Sequence, residues 1–162
     1  MEPLIYFLLL ILSYSGLFVG LILSRVAFEE LESGKKYFLI IQFLLWIIIT
    51  NLIIFYYNDL LFVIIGALLV ILMFILKFVL QNKSYHIDYL VLGILFYYSS
   101  GYTNLMLINS TAIFLYGFFT ASLIVLNSEI NNNKDVFNKK IINKILLNIG
   151  IIIIASILFI LL

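Results

Sequence analysis

The stretch Ser24–Phe38, SRVAFEELESGKKYF, is a long polar interruption in the otherwise apolar first half of this 162-residue chain. It contains three of the nine basic residues and three of the eight acidic residues. Apolar runs flank it on both sides, and each is long enough to cross about 30 Å of hydrocarbon as a helix. The stretch is therefore predicted to connect two membrane-spanning helices at one face of a bilayer.

The composition supports a membrane location for the whole chain. Hydrophobic residues make up 65% of the sequence and charged residues 10%, whereas soluble domains are about half apolar and about a quarter charged. There is too little polar surface for a soluble fold, so lipid must cover the exterior. The absence of cysteine excludes disulfides and thiolate sites. A net charge of +1 without a dense basic patch argues against a nucleic-acid partner.

Apolar runs of about 20 residues predict six transmembrane helices. The first is interpreted as a retained helix, because Glu2 stands where a secretory signal has basic residues and no cleavage site follows. The fourth is short, since 88–100 alone does not cross a bilayer, and a re-entering half-helix is the alternative. The predicted spans are 4–23, 37–57, 60–80, 84–100, 104–126 and 141–162.

The basic residues indicate how the chain is threaded. All nine fall in or beside the first, third and fifth connections, and basic residues accumulate in cytoplasmic loops. We therefore predict an all-α, polytopic transmembrane bundle of six spans, one integral domain in the cell membrane, with both termini outside. Lys77 is interpreted as reaching the cytoplasmic interface, and no acidic side chain or histidine is expected at mid-depth.

Small residues follow one face of the first span. Spacings of three and four residues place them on the same side of a helix, where another backbone can approach closely. That face packs either within this bundle or against another subunit. The residues are Ser13, Gly16, Gly20 and Ser24.

The polar stretch itself contains Arg25 and Glu29, and Glu32 and Lys36, at the spacing of helical ion pairs, with Gly34 as an expected helix terminator. It is interpreted as a self-paired cytoplasmic turn or as a docking surface for a partner. A divalent-cation site is disfavoured, because the three glutamates do not share one helical face. The predicted docking residues are Arg25, Glu29, Glu30, Glu32, Lys35 and Lys36.

Within this stretch, EELESGKKYF at 29–38 resembles a cytoplasmic loop of small multi-pass membrane proteins of archaea, with the pattern EEL-x-x-G-K-K-Y-F. The resemblance covers this short segment and the general layout of the chain. It implies an archaeal cell membrane and carries over no functional residue.

The segment 97–104, YYSSGYTN, is the best candidate for a ligand site. It follows an undersized helix, and irregular backbone at membrane depth lines wet cavities or is buried in protein. Its neutral hydroxyl and amide groups suit a neutral or lipid-like ligand, while an aromatic belt at the membrane interface is the alternative. The predicted pocket residues are Tyr98, Ser99, Ser100, Tyr102, Thr103, Asn104 and Asn109.

Neutral polar residues also recur at helical spacing within the spans. Buried amides and hydroxyls need partners in lipid, so we expect interhelical hydrogen bonds or a polar cavity. His86, near a predicted membrane boundary, is interpreted as part of a solvated loop. The recurring residues are Gln42, Trp46 and Thr50 in the second span, Asn109, Tyr116 and Thr120 in the fifth, and Asn148 in the sixth.

No nucleophile with a base and no cluster of acids is evident in the sequence. The chain is therefore predicted to be a non-enzymatic subunit or scaffold of a membrane complex, with the bilayer and other membrane subunits as partners and without cofactor or metal. The alternative is a small transporter or substrate-binding membrane subunit for a neutral or lipid-like ligand. An intramembrane enzyme is the third hypothesis.

Overall fold

The computed structural model describes residues 2–26, 28–79, 86–128, 143, 145–146 and 148–161. The fold is all-α, as the sequence predicts. A π-helical turn, Ile75–Val79, directly continues the third helix. The α-helices are α1 (Pro3–Val26), α2 (Phe28–Tyr57), α3 (Leu60–Phe74), α4 (His86–Ser99), α5 (Thr103–Ser128) and α6 (Gly150–Leu161).

Three helices of the described chain are long and apolar enough to cross a membrane: α1, Ser33–Tyr57 of α2, and Thr103–Asn127 of α5. The other three are shorter, with 15 residues in α3, 14 in α4 and 12 in α6. The three long helices thus support a membrane protein, and α3, α4 and α6 fall short of that length.

The described residues of the polar stretch are helical. α1 continues to Val26, and α2 begins at Phe28 and runs without a break through Gly34. The expectation that Gly34 terminates a helix is wrong. Glutamate, lysine and leucine around it favour helix, and one glycine within a helix costs only about 1 kcal/mol relative to alanine.

The contacts between helices define their relative directions. Contacts between α1 and α5 advance in the same direction along both helices, from Ser13 with Ser110 to Ser24 with Ser122, so the two are parallel. α2 runs antiparallel to α5. α1 runs antiparallel to the sixth segment, since Tyr6 bonds Ala155 of α6 and Tyr14 bonds Ile145, which precedes α6 in the chain. α4 and α6 are parallel. Successive helices therefore alternate in direction.

The pair α1 and α5 forms the tightest contact of the fold. Ser13, Gly16, Gly20 and Ser24 are all buried there. A methyl group on Gly16 would clash with the carbonyl of Phe114, and one on Gly20 with that of Phe118. Ser24 Oγ donates to Ser122 Oγ at 2.9 Å. The small-residue face thus packs within the bundle.

Short turns connect α2 to α3 and α4 to α5. Asn58 has a φ of 47°, and Asp59 caps α3 by accepting a hydrogen bond from the Leu61 amide at 3.1 Å. Ser100–Tyr102 links the other pair. We call the end of the bundle that carries these two turns the turn end, and the opposite end, where α1 meets α2, the junction end.

α3 is the least enclosed of the helices. It packs mainly against α2, and among its own residues Gly66 and Met73 are buried. Large apolar side chains such as Leu68 and Ile71 are exposed along its other sides. In a membrane this helix faces lipid over most of its circumference.

Candidate functional site

An ion pair lies inside the bundle. Lys77 Nζ, from the π-helical turn, is 2.5 Å from Asp88 Oδ2 in the first turn of α4. The side chains of the two residues are 8% and 2% exposed, respectively. The sequence interpretation that Lys77 reaches the interface is therefore wrong for this structure.

Tyr116, at the centre of α5, completes the arrangement. Its hydroxyl donates to the same carboxylate oxygen, Asp88 Oδ2, at 2.5 Å, and Tyr116 is fully buried. The rings of Tyr89 and Trp46 meet the Tyr116 ring edge-on, at centroid distances of 5.9 and 6.4 Å. We call Trp46, Lys77, Asp88, Tyr89 and Tyr116 the Asp88 cluster. It joins α2, the π turn, α4 and α5.

The position of the cluster along the helices follows from helix geometry. With a rise of about 1.5 Å per residue, Tyr116 lies about 20 Å from the turn end of α5, and Asp88 about 16 Å from the turn end of α4. The Cα of Lys77 lies about 25 Å from the start of α3, and its side chain leans back toward the turn end as helical side chains do. The ion pair thus lies between about 16 and 25 Å from the turn end, measured along the helices.

The energetics of this pair are those of buried charges. Removing two charges from water costs several kcal/mol per ion, which their attraction and further hydrogen bonds must repay. Tyr116 supplies one such hydrogen bond, and the positive end of the α4 dipole supplies another favourable interaction with Asp88. Ionisable residues within a membrane bundle typically mark an ion path, a proton relay or a substrate site.

The local backbone is unusual at the same place. Lys77 lies in the π-helical turn Ile75–Val79, and π turns within helices occur frequently at functional sites. We expected no acidic side chain at mid-depth, yet Asp88, within the predicted fourth span 84–100, is buried in the first turn of α4. One feature of the sequence did point to a buried polar partner of Asp88: Tyr116 lies on the polar stripe of the predicted fifth span.

Other polar residues of the predicted stripes also meet. Gln42 Nε2 donates to Thr120 Oγ1 at 2.6 Å, between α2 and α5. His86 Nδ1 is 2.9 Å from Asn148 Oδ1, so His86 lies in α4 against the sixth segment and not in a solvated loop. Asn109 is fully buried, and neither atom of its amide has a hydrogen-bond partner among the described residues.

A cavity of about 240 Å³ lies between α2, α3 and α4, on the turn-end side of the cluster. Its lining is almost entirely apolar and contains no charged side chain. The Thr50 hydroxyl already donates to the Trp46 carbonyl of its own helix, at 2.8 Å. Lining residues on the three helices include Thr50, Ile54, Ile65, Leu69, Val91 and Tyr98.

The predicted pocket around 97–104 is divided by the structure. Tyr98 lines the apolar cavity, whereas Ser99 is buried and donates to the Phe96 carbonyl. Ser100 is half-buried, and Tyr102, Thr103 and Asn104 are exposed. Asn109 lies deeper, in the core of α5. A ligand pocket formed by all seven residues remains a prediction.

Tyrosines and a phenylalanine gather instead at the turn end. The Tyr57 hydroxyl donates to the Tyr98 carbonyl at 2.7 Å, and its ring stacks on Phe62 at 4.5 Å. Tyr102 contacts both Tyr56 and Tyr57. Such aromatic clusters are typical of a membrane–water interface.

The predicted docking residues lie at the junction end. Arg25, Lys35 and Lys36 are exposed there. The side chains of Glu29, Glu30 and Glu32 lie outside the described part of the structure, so the predicted ion pairs of this stretch remain predictions. In the part that is described, no three His, Cys, Asp or Glu side chains are grouped so as to hold a metal ion.

No protein-family model matches the chain, and no curated protein or solved structure matches it either. Its function is therefore inferred from geometry alone.

Proposed function

We propose that this chain is a six-span integral membrane protein that binds a neutral, lipid-like solute in the cavity between α2, α3 and α4, as a small transporter or as the solute-binding subunit of one. The observation that carries the proposal is this apolar cavity, whose wall on α4 begins at Val91, three residues from Asp88 of the buried ion pair. Pockets for small molecules are typically apolar, with a few polar groups at defined places.

The alternating helix directions support six crossings. Wherever an odd-numbered helix packs against an even-numbered helix, the two run in opposite directions, as between α2 and α5 and between α1 and α6. Arg25, Lys35 and Lys36 lie at the junction end, which by the positive-inside rule faces the cytoplasm. Both termini are then outside, in an archaeal membrane if the loop resemblance holds.

Reporters fused to the termini test this threading. A fluorescent protein that matures only in the cytoplasm should stay dark at the C-terminus and fluoresce when inserted after Gly34. An alkaline phosphatase fusion should give the reverse pattern. Fluorescence at the C-terminus would contradict six crossings.

The solute is inferred to be neutral because the cavity offers it no counter-charge. The ion pair nearby is internally compensated, and the lining is hydrocarbon apart from hydroxyl groups such as those of Thr50 and Tyr98. Burial of an apolar molecule is favourable by about 25 cal/mol for each Å² removed from water, but by much less when the molecule comes from lipid. The shape of the cavity and the hydroxyl groups of Thr50 and Tyr98 must therefore select the solute.

The single tryptophan of the chain provides the binding assay. Trp46 lies one turn from Thr50 at the cavity, so 1-bromooctane bound there should quench its fluorescence by the heavy-atom effect. We expect saturable quenching in nanodiscs, which Leu69→Phe reduces several-fold by filling the cavity. Leu68→Phe is the matched control, because Leu68 is exposed to lipid and does not line the cavity.

Equal quenching in wild type, Leu69→Phe and Leu68→Phe would contradict solute binding in this cavity. It would favour the second candidate function, a non-enzymatic subunit or scaffold. The observation that favours this alternative is the exposed apolar surface of α3. A stoichiometric complex in native membrane extracts, lost when Leu68 and Ile71 are replaced by serine, would support it.

A further inference from the structure

We infer that Asp88 is a proton-binding site and that its protonation releases Lys77, so that α3 separates from α4. The consequence for the cavity rests on the proposed function, but the proton site does not. The inference starts from the arrangement of donors around a single oxygen atom. Asp88 Oδ2 receives both the Lys77 ammonium and the Tyr116 hydroxyl.

These two donors come from different parts of the bundle. Tyr116 belongs to the centre of α5, which packs closely against α1 and α2. Lys77 belongs to the π turn that continues α3, a 15-residue helix in which only Gly66 and Met73 are buried. The carboxylate therefore connects a well-packed helix to a peripheral one. In this closed arrangement, the pair carries no net charge.

Protonation of Asp88 changes this balance. A proton from water adds to the carboxylate and forms a carboxylic acid, so the pair changes from zero net charge to +1 while Lys77 keeps its own proton. The acid still accepts a hydrogen bond from Tyr116 through its carbonyl oxygen. The ammonium, however, loses its counter-charge, and an uncompensated buried charge is strongly unfavourable.

The Lys77 side chain can move from this buried position to the membrane interface. Its Cα lies two residues from the end of the π turn at Val79 and about 25 Å from the turn end, which is near the cytoplasmic boundary of the hydrocarbon layer. A lysine side chain near a helix end reaches the interface readily. The interfacial position predicted from the sequence is therefore the position that we assign to Lys77 in the open state.

Few charged or titratable side chains surround Asp88. In the described structure, the charged or titratable side chains facing it are Lys77 from the π turn, Tyr116 from α5 and its own neighbour Tyr89. One further group, His86, lies on the same helix and contacts Asn148 near α6. Tyrosine does not exchange its proton readily between neutral and mildly acidic pH, and Lys77 and Asp88 are tested together as one pair, so His86 is the group that a control must exclude.

Polar atoms lie on both sides of the cluster along α2 and α5. Toward the junction end is Gln42, whose Oε1 is buried without a hydrogen-bond partner among the described residues. Toward the turn end is Asn109, whose whole amide is likewise unpartnered. Buried polar groups of this kind are typically satisfied by ordered water.

Release of Lys77 should open the cavity. Its wall is formed on one side by α3, through residues such as Leu69, and on another by α4, through residues such as Val91. The Lys77–Asp88 pair is the ionic link between those two sides. Without it α3 is held mainly by its packing on α2, and it is free to move away from α4.

Trp46 fluorescence tests the proton site directly. The full-length protein in nanodiscs is titrated between about pH 8 and pH 4, and we expect a reversible change in emission because the Trp46 ring contacts Tyr116. Asp88→Asn should abolish the change and hold the emission at the acidic value. Two controls, His86→Gln and the exposed Asp59→Asn, should keep the wild-type response.

The movement is tested with spin labels, since the chain has no native cysteine. Labels at Leu68→Cys on α3 and Leu90→Cys on α4 occupy exposed positions. Acidification should lengthen the distance between them, and Asp88→Asn should show the long distance at every pH. If Asp88→Asn does not fold, the charge-neutral pair Lys77→Met with Asp88→Leu serves instead and should show no pH dependence of the distance.

A pH response of Trp46 that persists in Asp88→Asn, or its absence in wild type, would overturn the proton site. An unchanged distance between the labels across the titration would overturn the release of α3. Neither result depends on solute binding, because 1-bromooctane is absent from both measurements. Failure of the bromooctane assay alone would contradict solute binding in the cavity and would not bear on the proton site.

Discussion

The side-chain amide of Gln42 in α2 donates a hydrogen bond of 2.6 Å to Thr120 Oγ1 in α5. The Thr120 hydroxyl in turn donates to the carbonyl of Tyr116, in its own helix, at 2.8 Å. The other amide atom, Gln42 Oε1, has no partner among the described residues. A chain of two hydrogen bonds therefore connects α2 to the helix that carries Tyr116.

This arrangement predicts unequal costs for removing its two members. Thr120→Val should lower the free energy of unfolding by about 1–3 kcal/mol, because it leaves the buried Gln42 amide wholly unpaired. Gln42→Leu should cost about 0.6 kcal/mol, the average for interhelical hydrogen bonds in a membrane protein. The double variant should be more stable than Thr120→Val alone. Unfolding by SDS in mixed micelles measures all three.

A matched control is Thr50→Val, because Thr50 is buried to the same degree and its hydroxyl bonds only carbonyls of its own helix. It should be nearly neutral. Equal losses for Thr50→Val and Thr120→Val would show that the interhelical bond contributes nothing measurable.

A second prediction concerns the contact of α1 with α5. Gly20→Leu should destabilise the protein by at least the 1–3 kcal/mol typical of overpacking, because even a methyl group there meets the backbone of Phe118. Gly66→Ala is the control, since its methyl group meets only the end of the flexible Ile54 side chain. Thermal unfolding in detergent compares the two. An unchanged melting temperature for Gly20→Leu would contradict the close helix approach.

Local spacing was enough to predict parts of this fold. Small residues at steps of three and four must share one side of a helix, so Gly16 and Gly20 predicted a packing face of α1, and the structure places that face against α5. The same rule placed Gln42 and Thr120 on polar stripes, and the structure brings those two together. Asn58 and Asp59 lie between the predicted spans 37–57 and 60–80, and both residue types favour irregular backbone.

The Asp88 cluster could not be found in that way. The π turn shifts the helical register after Phe74, and this shift decides whether Lys77 faces lipid or Asp88. No local pattern in the sequence indicates the π turn. Asp88 itself follows a run of polar residues, so its sequence context resembles that of a loop. Its burial arises from α5 and Tyr116, which are distant in the sequence.

A third prediction concerns the turn between α2 and α3. Asn58 has a positive φ of 47°, a region that other residues with a Cβ adopt at a cost of roughly 1–2 kcal/mol. Asn58→Ala should therefore destabilise the protein by about 1 kcal/mol, whereas Asn58→Gly should be neutral or slightly stabilising. SDS unfolding distinguishes the two. Equal effects would mean that the turn adopts another conformation in the membrane.

The neighbouring cap gives a fourth prediction. Asp59 Oδ1 accepts a hydrogen bond from the Leu61 amide at the start of α3. Asp59→Ala should cost about 1 kcal/mol, while Asp59→Asn should cost little because asparagine caps helices equally well. Hydrogen exchange of the first α3 amides should accelerate in the alanine variant only. Acceleration in both variants would assign the effect to charge rather than to capping.

The last prediction concerns Tyr57 and Gly101 at the turn end. A methyl group on Gly101 would lie 2.7 Å from the Tyr57 hydroxyl oxygen, so Gly101→Ala should displace that hydroxyl from the Tyr98 carbonyl that it bonds. Tyr57→Phe removes the same hydrogen bond, at a cost of about 0.5–1.5 kcal/mol. The two substitutions should therefore not be additive, and the double variant should be no less stable than Tyr57→Phe.

The measurement is a double-mutant cycle by SDS unfolding, with Ser100→Ala in the same turn as the control that should be additive with Tyr57→Phe. Because Tyr98 lines the cavity, loosening its backbone should also raise the rate at which 1-bromooctane quenches Trp46. Additive losses for Tyr57→Phe and Gly101→Ala would show that the two residues act separately.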